Sequence, residues 1–217
     1  MIAKKWKVAI FDWNGTLCND FPLVYKVVEA IFAAYNLTPP TPAEYRNEIE
    51  ADFIKLYHKY GIPQHVTAQY LNNEFRKKIL EKYWNSIRLQ KNTKFVLSNC
   101  KELGLKCAII SGEMSQILKK RLDYFGIAKY FDYVAADAYL KPKTELMKMA
   151  IKEIRVKPKE VFYVDDSCDG IKSAKEVGIA TIGFTCGYYS KRRIISAEPD
   201  FTIDDLKEII EIIKQGR

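Results

Sequence analysis

The chain has 217 residues, 48% hydrophobic, 29% charged and 13% aromatic, which excludes a disordered chain and suits one core with a smaller appended module. Its 35 Lys and Arg exceed 27 Asp and Glu by a net +8. They are spread over amphipathic segments, so a solvated surface is expected and no nucleic-acid partner. Five cysteines without a C-x-x-C pair exclude a disulfide framework and a zinc site, and no apolar run approaches the ~20 residues of a membrane span, so a cytoplasmic protein is expected.

Residues 7–11 (KVAIF) form a short apolar run ending at Asp12, the pattern of a buried parallel strand that meets a functional loop. Residues 21–90 then read as several amphipathic helices, broken at Pro39-Pro40-Thr41-Pro42 and at Gly61-Ile62-Pro63. A helical stretch at 99–103 precedes the strand 107–110 (CAII), which leads into Ser111-Gly112. Helix 115–124, a weak strand at 133–135 and helix 144–154 follow. Strand 161–164 (VFYV) runs into Asp165-Asp166, and helix 169–177, strand 180–184 and a closing helix at 204–214 complete the chain. This alternation predicts an α/β fold, a Rossmann-like doubly wound parallel sheet with an inserted all-α cap. The expected core is residues 1–16 and 91–217, and the expected cap is 17–90.

In such a sheet the ligand lies beyond the carboxyl ends of the strands, where polar residues just after apolar runs converge. Four groups qualify: Asp12 with Asn14 and Thr16, Ser111, Lys141, and Asp165 with Asp166 and Asp169. A carboxylate nucleophile, a hydroxyl donor, a lysine and a second acidic cluster suit a dianion held with a divalent metal.

In order and spacing, Asp12-Trp13-Asn14-Gly15-Thr16-Leu17, Ile110-Ser111-Gly112, Lys141-Pro142 and Val164-Asp165-Asp166-Ser167 resemble the four motifs of the haloacid dehalogenase superfamily. The helical insert is placed like the cap of its phosphoglycolate phosphatase and β-phosphoglucomutase branch. The resemblance implies a Mg²⁺-dependent phosphatase whose Asp12 attacks phosphorus. It also implies backbone N–H groups of Trp13, Asn14, Gly15 and Thr16 around the phosphoryl oxygens, Ser111-Gly112 as a further phosphate contact, and Lys141 holding both nucleophile and phosphate by charge. The implied metal ligands are Asp12, the Asn14 carbonyl and Asp166, with Asp165 or Asp169 behind them. The expected partner is a small phosphorylated metabolite, with no nucleic acid and no membrane, and the expected state is a monomer or homodimer.

One position departs from that pattern. The family's phosphatases carry a second Asp two residues after the nucleophile, and here that residue is Asn14, which cannot transfer a proton. Replacing Asn14 with Asp is therefore expected to raise turnover, with Glu113 as a candidate substitute acid. The alternatives are a catalytically impaired phosphate- or protein-binding relative and a dehalogenase or phosphonatase-type hydrolase.

Overall fold

The computed structural model describes residues 6–50, 52–137 and 141–215. Six strands, β1 (Val8–Phe11), β4 (Lys106–Ile110), β5 (Tyr133–Ala135), β6 (Val161–Asp165), β7 (Ala180–Phe184) and β8 (Phe201–Ile203), make one sheet in the order β5-β4-β1-β6-β7-β8. Every pairing in it is parallel. Because β1 is buried on both faces, its residues divide by period two. Ala9 and Phe11 join the apolar core beneath α6 (Thr93–Glu102), α7 (Ser115–Tyr124) and α11 (Ile209–Gln215). Val8 and Ile10 join the core beneath α8 (Lys143–Ile154) and α9 (Cys168–Val177).

The edge strand β8 was not expected, since two of its three residues are exposed and it has no apolar run of its own. Helix α6 starts at Thr93, before the expected 99–103, behind an Asn92 with φ of 66°. All five cysteines are free thiols, and no described helix is long and apolar enough to cross a membrane.

Between β1 and α6 the described residues form helices α1 (Phe21–Ala34), α2 (Pro42–Glu48), α3 (Phe53–Lys59), α4 (Ala68–Leu71) and α5 (Lys77–Lys82), with a π turn at Asn72–Arg76. Thr41 and Glu44 close a capping box at the start of α2. The helices share a core, with Val28, Ile31, Phe32 and Tyr57 buried, and it continues into Ile171, Tyr189 and Ile194 beyond the sheet. Ser190 N–H donates to the Arg46 carbonyl at 2.9 Å, and Arg193 donates to the carbonyl of Ile49. The insert is thereby seated over the carboxyl ends of the strands.

The two passages of chain into and out of the insert run side by side. Strands β2 (Cys18–Asn19) and β3 (Arg88–Leu89) pair antiparallel. Gln90 N–H donates to Leu17 O at 2.9 Å, and the Gln90 side chain donates to Gly15 O at 2.9 Å.

Candidate active site

Asp12 follows β1, Ser111 follows β4 and Asp165 ends β6, so three neighbouring strands deliver them to one place. Asp12 is 6% exposed, Asp165 0% and Asp166 2%, and one carboxylate oxygen of each lies within 4.8 Å of the others. Three buried carboxylates repel one another and lose hydration, so they stay ionised together only with positive charge among them.

That charge comes from a lysine two residues beyond the expected one. Lys143 Nζ lies 2.9 Å from Asp12 Oδ1 and 2.7 Å from Asp165 Oδ2, whereas Lys141 is exposed. The reason is local: Pro142 is the N-cap of α8, and Lys143 is its first residue. Burial works against its charge, yet the Asp12 and Asp165 carboxylates hold the Lys143 ammonium well above its ordinary range.

Burial pushes Asp12 up to about 7, with Lys143 opposing and Asp165 adding to the rise. Burial, then Asp165 and Asp12, push Asp166 well above the usual carboxylate range.

The carboxylates are held in different ways. Asp165 Oδ1 accepts from the Ser167 N–H at 2.7 Å and hydroxyl at 2.6 Å, and Oδ2 accepts from Tyr163 as well as Lys143. Asp166 Oδ1 accepts from the Thr16 hydroxyl at 2.8 Å and Oδ2 from the Tyr188 N–H at 2.6 Å. The Thr16 hydroxyl thus orients Asp166, a role separate from that expected of its backbone N–H. Ser167 caps α9, accepting from Gly170 N–H. Asp169 faces the cavity and is 3.4 Å from the Tyr189 hydroxyl.

In the loop after Asp12 the Trp13 side chain is fully buried in the core. Gly15 has φ of +79°, and a Cβ there would lie 2.2 Å from Asp166 Oδ2, so only glycine fits. Its N–H donates to Cys18 O at 2.9 Å and to Asp20 Oδ1 at 3.1 Å.

Ser111 is fully buried, and its Oγ accepts from Glu113 N–H at 2.9 Å. The Glu113 side chain is 9% exposed and pairs with buried Arg121 at 3.3 Å. Gly112, Glu113, Asn14 and the acidic cluster line a cavity of about 590 Å³. Its opposite wall, from the insert, includes Val27, Ile31, Tyr45, Leu71 and Arg76.

Sequence reading missed Lys143, Tyr163, Asp20 and Gly187. Tyr163 was within reach, because residues i and i+2 of a strand share a face and it precedes Asp165 by two. A Cβ at Gly187 would lie 2.1 Å from Asp166 Oδ2. Gly187→Ala is expected to displace that carboxylate and weaken divalent-metal affinity by about tenfold, the low end for a disturbed ligand support; a Mg²⁺ titration matching wild type would contradict this.

The haloacid dehalogenase-like hydrolase family model matches residues 9–184. The chain belongs to that family, and it is an enzyme of the hydrolase class. Along its length it resembles the phosphoglycolate phosphatase of Vibrio parahaemolyticus serotype O3:K6, 32% identical over 224 residues and 98% of each chain. The phosphoglycolate phosphatase of Vibrio vulnificus strain CMCP6 is 24% identical over 225 residues, again 98% of each chain.

Among solved structures, a haloacid dehalogenase-like protein of Agrobacterium tumefaciens C58 superposes with a TM-score of 0.78 at 24% identity, covering 96% of this chain and 98% of the other. CbbY of Rhodobacter sphaeroides in complex with phosphate gives 0.73 at 20% identity, covering 94% and 96%. These two likenesses establish the shared fold.

Proposed function

We propose that the protein is a Mg²⁺-dependent phosphatase that hydrolyses a small phosphorylated metabolite through Asp12. The observation that carries this reading is the buried Asp12, Asp165 and Asp166 cluster with Lys143 as its one paired cation among the described residues, open to a cavity beneath the helical insert.

The donor set fits Mg²⁺. Three carboxylates against one ammonium leave a formal double negative charge, and carboxylate oxygens are the hard donors this ion takes. Asp12 and Asp166 would hold it, with the Asn14 carbonyl, and Asp165 behind them is already filled by Lys143, Tyr163 and Ser167. Bound there, Mg²⁺ would neutralise phosphoryl charge.

Asp12 attacks phosphorus as the bond to the leaving oxygen breaks, giving an aspartyl-phosphate and an alkoxide that leaves with a proton from solvent. Water then attacks that phosphoryl group, returning Asp12 as carboxylate and releasing inorganic phosphate and a proton. Lys143 keeps the Asp12 oxygen oriented and balances its charge, and the insert excludes bulk water.

The named Vibrio relatives direct the substrate toward a phosphate ester carrying a carboxylate. Arg76, on the cavity wall of the insert, offers a guanidinium for such a group. Because Asn14 gives no proton, acyl and aryl phosphates are expected to react faster than alkyl ones.

The test is phosphate release from acetyl phosphate, p-nitrophenyl phosphate and phosphoglycolate, with Mg²⁺ and with EDTA, for wild type and Asp12→Asn. Mg²⁺-dependent release abolished by Asp12→Asn supports the proposal. Release indifferent to Asp12 would refute it, and silence on every ester would favour a phosphate-binding relative.

A further inference from the structure

Asp20 stands at the N-cap of α1, where an aspartate ordinarily accepts a hydrogen bond from the helix's own N–H groups. It makes no such bond. Its carboxylate is 2% exposed and turned back toward the strand ends. Oδ2 accepts from the Asn14 side-chain Nδ2 at 2.7 Å, and Oδ1 accepts from Gly15 N–H at 3.1 Å.

The second Asn14 N–H faces another carboxylate, with Glu113 Oε2 3.5 Å from Nδ2. Glu113 is fixed in turn by Arg121 at 3.3 Å. The amide has only one sensible orientation, because turning it over would set its oxygen against the Asp20 carboxylate, acceptor on acceptor. Both donors therefore face carboxylates, one on Asp20 behind the site and one on Glu113 at the cavity wall. The acceptor Oδ1 remains on the Ser111 side, 3.5 Å from that hydroxyl, and Asn14 lines the same cavity as Asp12.

We propose that Asp20 is a positioning residue, acting through Asn14: it locks the amide so that Oδ1 is presented, as a hydrogen-bond acceptor, to the water that attacks the phosphoryl group. The inference rests on the phosphatase reading above. Positions 14 and 20 then work as one amide–carboxylate pair, and what matters is that one member is of each kind.

This reverses the effect expected of Asn14→Asp from sequence. That change alone sets two buried carboxylates at hydrogen-bond distance with no donor between them, so the side chain at 14 turns away. Exchanging the two, as Asn14→Asp with Asp20→Asn, restores a donor–acceptor pair across the 2.7 Å contact and puts the carboxylate on the cavity side, leaving only the longer 3.5 Å approach to Glu113, whose charge Arg121 balances.

The experiment is a kinetic cycle with acetyl phosphate and Mg²⁺. Asp20→Asn and Asp20→Ser should each lower kcat by about tenfold, the worth of one charge-assisted hydrogen bond, with KM little changed. Asn14→Asp alone should gain nothing, and the double exchange should exceed it by about tenfold or more. Either both Asp20 variants within twofold of wild type or Asn14→Asp equalling the double exchange overturns the proposal.

The pair also has a readout free of turnover. The Asn14 side-chain amide protons, assigned by their loss in Asn14→Asp, should exchange slowly in wild type and quickly in Asp20→Asn. Fast exchange in wild type overturns the proposal. If Asp12→Asn leaves activity untouched, the phosphatase reading fails on that control, while amide exchange still decides the pair.

Discussion

Lys143→Met is expected to lower turnover by about 10²- to 10³-fold, the usual loss when a preorganised charge partner is removed from an active site, while Lys141→Met stays within about twofold. The two residues are separated only by Pro142, yet Lys143 bridges Asp12 and Asp165 and Lys141 is exposed. Removing the Lys143 ammonium leaves two buried carboxylates facing each other. Breaking one partner from such a buried pair typically costs ~3–5 kcal/mol of stability.

The pH dependence fixes the cause. Acid protonates the carboxylates and relieves their repulsion, so Lys143→Met should lose most stability above neutral pH and recover part of it in acid. Steady-state kinetics and thermal melts of both variants check this. Equal loss in Lys141→Met, or full activity in Lys143→Met, would return the lysine role to position 141.

Mg²⁺ is expected to raise the melting temperature, and to raise it more at pH 8 than at pH 5. Burial, with Asp165 adding and Lys143 opposing, places Asp12 at about 7, and Asp166 is also raised. For an acid with a raised folded value, the folded protein binds more protons than the unfolded chain between pH about 4 and 7. Metal-free stability therefore falls as pH rises through that window.

A divalent cation requires the ionised carboxylates and offsets their repulsion, so its binding strengthens as the protons leave. At a free concentration 100-fold above its dissociation constant the gain is ~2.7 kcal/mol, or about 5–10 °C for a chain of this size. Differential scanning calorimetry at the two pH values, with Mg²⁺ or EDTA, measures it. A midpoint indifferent to Mg²⁺ at pH 8 would remove the metal from the proposed function.

The parallel sheet was legible because its inner strands are apolar runs that end in polar residues: KVAIF before Asp12, CAII before Ser111 and VFYV before Asp165. Periodicity failed at β8, whose exposed residues follow from its edge position, and at the start of α6. Asp12, Ser111, Asp165 and Asp166 could be placed together because strand order alone brings strand ends to one rim.

Lys143 was missed because a proline cap, rather than spacing, decides which of two lysines points inward. Asp20 was missed for a different reason. Its position at a helix start reads as an ordinary cap, and only the turn back from Gly15 to α1 shows that its carboxylate serves Asn14.

The antiparallel pairing of β2 with β3 makes the insert a detour that leaves and rejoins the main chain at adjacent points. In such a layout one lid can be exchanged for another by a local graft, with no change to the order of the sheet. In this chain the graft point matters to the residue. A cut after Asn19 would carry Asp20 away with the old lid and leave Asn14 without its partner, whereas a cut after Asp20 would keep the pair in the recipient. Chimeras joined at those two points would therefore differ in activity even if the new lid seated identically.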